Sequence, residues 1–333
     1  MSPHFLRKSL LAYWYAWFHA LSAVFVFAAV TCPVRAQDYP TRPIRLVVPG
    51  SPGGAGDIIA RLVARKFNEM WEQPVVVDNR GGGANMIAIE IVSKAPPGGY
   101  TLLLGNFSFA VLPSLSRKLP YDTVRDFTPI GLIAKGPLAL VVTPTLPIKS
   151  VKELVALAKA KPGQLNYASV GAGSPTGLGG ELFRSLTGAE IVPITYNGAG
   201  PGLIDLIAGR VHAMFPSIAT VISNTGKLRA LAVTSEKRSN VMPDLPTMVE
   251  AGVPGYIVVS WYGILAPTRT PRSVIAKLNA ALNRSMEAAD VRDKLIAQGL
   301  DPAPGSSEEF SEFIAAEMAK WGGALKASGA QVD

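Results

Sequence analysis

An α/β protein of two lobes, with two hinge crossings and a ligand cleft between the lobes, is the architecture this 333-residue chain encodes. Three features point to it. Short β-rich runs alternate with amphipathic helical stretches along almost the whole sequence, which implies α/β layers with largely parallel sheets. The alternation restarts near Thr143, so there are two series. A final helical segment after Trp261 must pack somewhere, and its expected return to the first lobe would make the chain cross between lobes near Pro144 and again near Pro254-Gly255. The expected boundaries are residues 37–143 with 256–333 for lobe 1, and residues 144–255 for lobe 2.

The N-terminus reads as an address. Arg7 and Lys8 precede residues 10–30, which carry no formal charge and are long enough to span a bilayer. Cys32-Pro33 breaks the apolar run, and Val34-Arg35-Ala36 fits a signal-peptidase site before Gln37. Residues 1–36 are therefore expected to be a cleaved signal peptide, with a retained anchor as the alternative. A lipoprotein site at Cys32 is disfavoured, because Ala29-Val30-Thr31 lacks the leucine such a site needs three residues before the cysteine. Cleavage leaves no cysteine and one histidine, His212, which excludes a disulfide scaffold, an iron–sulfur cluster and a cysteine-rich zinc site. The net charge of +8 includes Arg7, Lys8 and Arg35 of the segment removed. No Lys/Arg cluster interleaves with aromatics, so no nucleic-acid partner is expected, and the modest basic excess suits small anions. An exported, cysteine-free chain of this kind belongs in a bacterial periplasm or outside the cell.

Each element follows from its local pattern. Residues 44–48 read as a buried strand, residues 49–56 as a glycine turn, and Asp57 as the opening of a helix with Ile59, Leu62, Val63, Phe67 and Met70 on one face. Val75-Val76-Val77 leads through Asn79-Arg80-Gly81-Gly82-Gly83 into a helix over 85–93, and Pro96-Pro97-Gly98-Gly99 turns into a strand over 100–104. Residues 138–142 form another strand, and Ser150-Val151-Lys152-Glu153 is a capping box for a helix to about Ala160. In the second series come strand 165–169, turn 171–174, a helix to Leu186, strand 191–195, turn 197–200 and a helix from Pro201. Residues 211–215 and 228–233 are further strands. From Pro271 the chain is helical, with a second capping box at Ser306-Ser307-Glu308-Glu309.

In open α/β sheets ligands sit beyond the carboxyl ends of strands, where glycine lets the backbone approach and helix N-terminal amides face an anion. Residues 50–57, 79–85, 171–174 and 196–202 fit that description, though glycine between strand and helix is also ordinary turn chemistry. Nucleotide motifs fail. Residues 50–56 are followed by Asp57-Ile58 where a phosphate loop needs Lys and Ser/Thr, and after Gly171-Ala172-Gly173 the next glycine, Gly177, comes one residue late for a dinucleotide fingerprint. A Ser-His-Asp hydrolase would need His212, which sits in a strand where a structural role is expected, and no Gly-x-Ser-x-Gly elbow exists. Trp261-Tyr262-Gly263, at the second crossing, either lines a cleft or fills the interface. No cofactor and no metal site is expected.

Taken in order, these turns resemble the extracytoplasmic substrate-binding proteins of tripartite tricarboxylate transporters, the Bug family. The matching stretches in the first half are Tyr39-Pro40-x-x-Pro43-Ile44, Val48-Pro49-x-x-Pro52-Gly53-Gly54-x-x-Asp57-x-x-Ala60-Arg61, Val77-x-Asn79-Arg80, Gly99-Tyr100-Thr101-Leu102-Leu103 and Leu119-Pro120-Tyr121-Asp122. The second half adds Ser169-x-Gly171-x-Gly173-Ser174, Glu181-Leu182-Phe183, Tyr196-x-Gly198, residues 228–233, Leu245-Pro246-Thr247 and Trp261-x-Gly263-x-x-Ala266-Pro267. The likeness covers residues 38–333.

What the resemblance implies is a two-lobed periplasmic binding protein fold that closes over a small organic anion, a carboxylate, and delivers it as a monomer to membrane permease subunits. It implies a first wall of Ser51, Gly53, Gly54 and Asp57 and a second of Ser169, Gly173 and Ser174; Asn106, Tyr196, Asn197 and Ser217 are rim candidates by their positions after strands. Asp57 is expected to organise its turn, since a carboxylate repels an anion. Two departures bear on ligand identity: the family's usual histidine is Gly177 here, and its proline-glycine run after Asn79-Arg80 is Gly81-Gly82-Gly83-Ala84-Asn85. The alternatives are an exported α/β hydrolase and a ligand-sensing subunit of a signalling system.

Overall fold

The computed structural model describes residues 39–82, 85–116, 118–171 and 173–328. The export segment with Cys32, and residues 83, 84 and 172 of the glycine turns, lie outside them. β1 (Ile44–Val48) runs through the first glycine loop into α1 (Ala55–Trp71). The helix buries Ile59, Leu62, Val63 and Phe67, each contributing about 1.5–3 kcal/mol by leaving water. β2 (Val75–Asn79) precedes α2 (Met86–Ser93), and β3 (Thr101–Asn106) precedes α3 (Phe107–Leu115), β4 (Phe127–Pro137) and β5 (Ala139–Val142). Next come α4 (Val151–Ala160), β6 (Leu165–Ser169), α5 (Pro175–Thr187), β7 (Ile191–Thr195), α6 (Ala199–Ile207), β8 (Ala213–Met214), α7 (Ile218–Ile222) and β9 (Arg229–Val233). The chain ends through β10 (Val259–Pro267), α8 (Arg272–Glu287), α9 (Ala289–Ala297), β11 (Asp301–Pro302) and α10 (Ser307–Ser328).

Both expected caps form, one of them as a full box. Ser150 Oγ accepts from Glu153 N at 3.2 Å, but Glu153 Oε2 accepts from Lys149 N at 2.7 Å, one residue before the cap; at α10 Ser306 Oγ accepts from Glu309 N at 3.0 Å while Glu309 Oε2 accepts from Ser306 N at 2.7 Å. Other expectations need correction. α6 begins at Ala199 behind Gly198, which leaves Pro201 inside the first turn instead of at its start. The strand expected over 211–215 is reduced to the two residues of β8. α3 went unread, because it is buried on nearly every side and so has no amphipathic period.

The strands form two sheets, in the orders β11-β4-β10-β3-β1-β2 and β7-β6-β8-β5-β9. They are mixed, which corrects the expectation of largely parallel sheets. β1 pairs parallel with β2 and β3, and β6 pairs parallel with β7 and β8. β10 enters the first sheet antiparallel between β3 and β4, while β5 runs antiparallel to β8 and β9. The first passage between sheets falls at Leu138, a few residues before the boundary expected at residue 143, and the second falls within residues 234–258.

The buried hydroxyl of Thr234 ties the two passages together. Its Oγ1 accepts from Leu138 N at 2.8 Å and lies 2.6 Å from Val258 O, to which it donates. One hydrophobic core runs through both lobes. Phe107 packs edge-on against Trp321 with ring centroids 5.1 Å apart, and Phe215 stacks on Tyr256 at 6.1 Å.

Candidate functional site

The first wall is built on the amino end of α1. Gly54 is its N-cap and supplies no side-chain bond, and among the described residues no side chain accepts from the first-turn amides. Gly53 has φ 81°, a left-handed conformation that costs glycine little. Asp57 organises this turn from inside the helix. Its Oδ2 accepts from Gly53 N and from Arg61 Nε, both at 3.0 Å, and Arg61 Nη2 lies 2.9 Å from Oδ1. These bonds, Arg61 foremost and Gly53 N–H next, hold the buried carboxyl below its ordinary pKa. Ser51, Gly53 and Gly54 are exposed. The 79–85 turn lies beside them, since a Cβ on Gly81 would be 3.6 Å from Gly50 C and 3.7 Å from Ser51 Oγ.

The second wall is built on the amino end of α5, and here the hydroxyls are occupied. Ser174 Oγ accepts from Gly177 N at 3.0 Å, donates to Gly171 O at 2.7 Å and lies 2.9 Å from Thr176 Oγ1. Ser169 Oγ accepts from Gly171 N at 3.1 Å. A Cβ on Gly177 would stand 2.2 Å from Gly171 O, so the loop lies on its helix more closely than any side chain at that position permits.

The rim candidates divide. Tyr196 N donates to Ser169 O at 2.8 Å, which joins it to the second wall, but its hydroxyl donates to Asp205 Oδ2 at 2.7 Å. Burial, reinforced by Asp205, pushes that phenol's pKa up. Asn197 follows it, exposed. Ser217 caps α7, accepting from Thr220 N at 3.3 Å, and bridges to Leu138 at the first passage between sheets. Asn106 caps α3, its Oδ1 accepting from Ser108 N at 3.1 Å.

At that cap on α3 the 79–85 turn meets the second wall through Ser108, a residue that no motif marked. Asn85 Nδ2 donates to Ser108 Oγ at 3.1 Å, and Ser108 Oγ donates to Gly173 O at 3.0 Å. Gly173 also lies against Leu112 and Leu115 of α3. On the other side of the cap, Asn106 stands opposite Tyr262 in the β3–β10 ladder. The amino ends of α1, α3 and α5 are thus linked through neighbouring contacts, and amino ends attract anions. The basic side chains nearest the first loop are engaged: Arg61 with Asp57, and Arg80, whose Nε lies 3.0 Å from Asp78 Oδ1.

His212 lies elsewhere. Its Nδ1 is 2.9 Å from Asn166 Oδ1, near the start of β6, whereas the second wall follows the end of that strand. Burial lowers its pKa. Of the motif Trp261-Tyr262-Gly263, Trp261 fills the core against Phe310 and Phe313 at 5.8 and 5.7 Å. Among the described residues no group of His, Cys, Asp or Glu is arranged to hold a metal ion, and no helix is long and apolar enough to cross a membrane.

Known proteins resemble this chain in sequence and fold. The family model described as tripartite tricarboxylate transporter family receptor matches residues 59–330. Protein BugT of Bordetella pertussis is 37% identical over 318 residues, covering 94% of this chain and 98% of its own. An R. palustris protein solved with adipate superposes with a TM-score of 0.81 at 38% identity, covering 89% of this chain and 100% of its own. MatC from Rhodopseudomonas palustris, solved with bound malate, superposes at 0.78 with 30% identity, covering 86% and 100%.

Proposed function

We propose, from the premise that the chain belongs to the tripartite tricarboxylate transporter receptor family, that it captures a small organic carboxylate between its lobes and hands it to the membrane permease subunits of such a transporter. It is a solute-binding protein and not an enzyme, which sets the hydrolase reading aside. The observation that carries the proposal is the uncapped amino end of α1 behind an exposed glycine loop, with Arg61 and Arg80 both committed to aspartates.

The carboxylate is met by backbone amides of the first loop, with Ser51, Gly53 and Gly54 in contact and Asp57 holding the loop's shape. The second lobe covers the ligand with Gly173 and its neighbours. A helix N-terminus contributes about 0.3–1 kcal/mol to a nearby anion, and up to about 2 when partly buried. Hydrogen bonds to a charged group contribute about 1.5–3 kcal/mol each. A few such bonds from opposing lobes reach micromolar binding, about −8 kcal/mol, after the costs of association.

Closure follows from the architecture: the hinge is assigned to the two passages between sheets, and the lobes rotate about them as the ligand enters. The chain acts as a monomer in the periplasm after cleavage before Gln37. The ligands of the R. palustris relatives, adipate and malate, suggest a dicarboxylate as the first compound to try.

Native mass spectrometry of freshly purified protein, followed by calorimetry with the anion identified, tests the function. A carboxylate bound stoichiometrically supports it, and binding confined to uncharged solutes overturns it. N-terminal sequencing of the exported protein should begin at Gln37. Loss of uptake in a deletion strain separates transport from sensing, because a sensor subunit would lose the transcriptional response and keep uptake.

A further inference from the structure

Tyr262 occupies a position that neither glycine loop explains. Its chain neighbours face the core: Trp261 packs on Phe310 and Phe313, and a Cβ on Gly263 would meet the Phe310 ring. Alternation along β10 sends Tyr262 to the other face of the sheet. There its Cε1 lies 3.8 Å from the point a Cβ on Gly56 would occupy, beside Val48 and Leu104, so the ring stands over the first turn of α1. In the ladder it is directly opposite Asn106, the cap of α3. Tyr262 therefore lies between two of the linked helix amino ends, on a strand in the middle of the first sheet. It remains partly exposed, and burial pushes its pKa above the ordinary 10.0, offset in part by a hydrogen bond from the Ser260 side chain to the phenol oxygen, which leaves the phenol's own proton to give. At neutral pH the phenol is an uncharged O–H donor beside a site for anions.

We propose that Tyr262 is a specificity-determining residue of this site, donating its hydroxyl proton to a second polar group of the ligand while the amides of the first loop hold the primary carboxylate. The inference rests on the carboxylate-binding reading above. The loop recognises one carboxylate end, and a donor fixed on a central strand reads what lies a set distance from it. A dicarboxylate gains a charge-assisted bond that a monocarboxylate of the same chain length has no oxygen to accept.

The test is calorimetry on wild type and Tyr262→Phe with three pairs of equal chain length: succinate and butyrate, malate and 2-hydroxybutyrate, adipate and hexanoate. Thermal melting of both proteins accompanies it. For a pair whose dicarboxylate the wild type prefers, Tyr262→Phe is expected to weaken that dicarboxylate by about tenfold or more. The monocarboxylate should stay within about twofold, with an unchanged melting temperature. Equal losses for both members of the pair would make Tyr262 a support for α1 and overturn the inference, as would no loss for either. A wild type that shows no preference for any of the dicarboxylates also overturns it. A wild type that binds none of the six acids overturns the inference as well, whereas the carboxylate reading stands or falls with the ligand that native mass spectrometry identifies.

Discussion

The loop before α1 and the loop before α5 each carry a parallel strand into a helix, yet they differ in what they leave unbonded. At α1 the cap is glycine, and the loop is shaped by Asp57 reaching back from inside the helix to Gly53 N. At α5 the cap is Ser174, whose oxygen is engaged by Gly177 N, Gly171 O and Thr176 Oγ1, and Ser169 is turned onto Gly171 N. Similar sequence, rich in glycine and serine, thus produces one wall with amides to offer and another whose hydroxyls hold itself together. Under the function proposed above, recognition of charge would fall to the first and shape to the second.

The largest effect that can break this contrast is expected at Gly177. Gly177→Ala sets a Cβ 2.2 Å from the Gly171 carbonyl, and such overpacking costs about 3 kcal/mol. Denaturant unfolding should show that loss, while alanine at Gly53, with open space around it, should cost only the left-handed strain of about 1–2 kcal/mol. Near-equal losses would erase the distinction between a packed loop and an open one.

Asp57→Asn comes next. Removing the charge from bonds to Arg61 and Gly53 N should cost about 2 kcal/mol near neutral pH. Because the folded carboxyl titrates below its ordinary value of 3.8, the stabilisation is complete above that value and disappears as pH falls through the lowered pKa. Wild type and variant should therefore converge in acid melting curves. A gap that persists at the lowest pH would show that the Asp57 charge is not what shapes the loop.

Ser174→Ala should cost about 1 kcal/mol of stability through the lost cap. Ligand affinity should follow only as far as the loop loosens. A loss of affinity larger than the loss of stability would return Ser174 to the role of a direct ligand contact and sharpen the contrast differently.

The smallest effect is expected from His212→Ala, which should change ligand affinity by less than about 0.5 kcal/mol, as for sites without shared partners. Calorimetry with the identified anion checks it. A collapse of binding at preserved stability would mean that the start of β6 communicates with the second wall.

Much of this was legible beforehand, and the failures have physical causes. Periodicity exposed α1 through Ile59, Leu62, Val63 and Phe67, and the Ser150 and Ser306 boxes announced their helices. α3 hid because residues 107–112 are buried all round and Pro113 sits inside it. The direction of β10 and β5 was unreadable because antiparallel entry depends on where a distant segment returns. The glycine loops were visible as glycine, but which hydroxyls they would use internally was not, since Ser174 and Ser169 find their partners only once the turn has closed. Ser108 carried no motif at all, and in the triplet at the second crossing Trp261 fills the core while Tyr262 turns to the other face of the sheet.

Thr234 gives the molecule a mechanical property beyond its hydrogen bonds. Two independent tethers would let the lobes twist, splay and slide, and a ligand would have to arrest each movement separately. One fully buried oxygen joins Leu138 to Val258, so in the closure proposed above the two tethers would turn about a common pivot, like jaws with a single stroke.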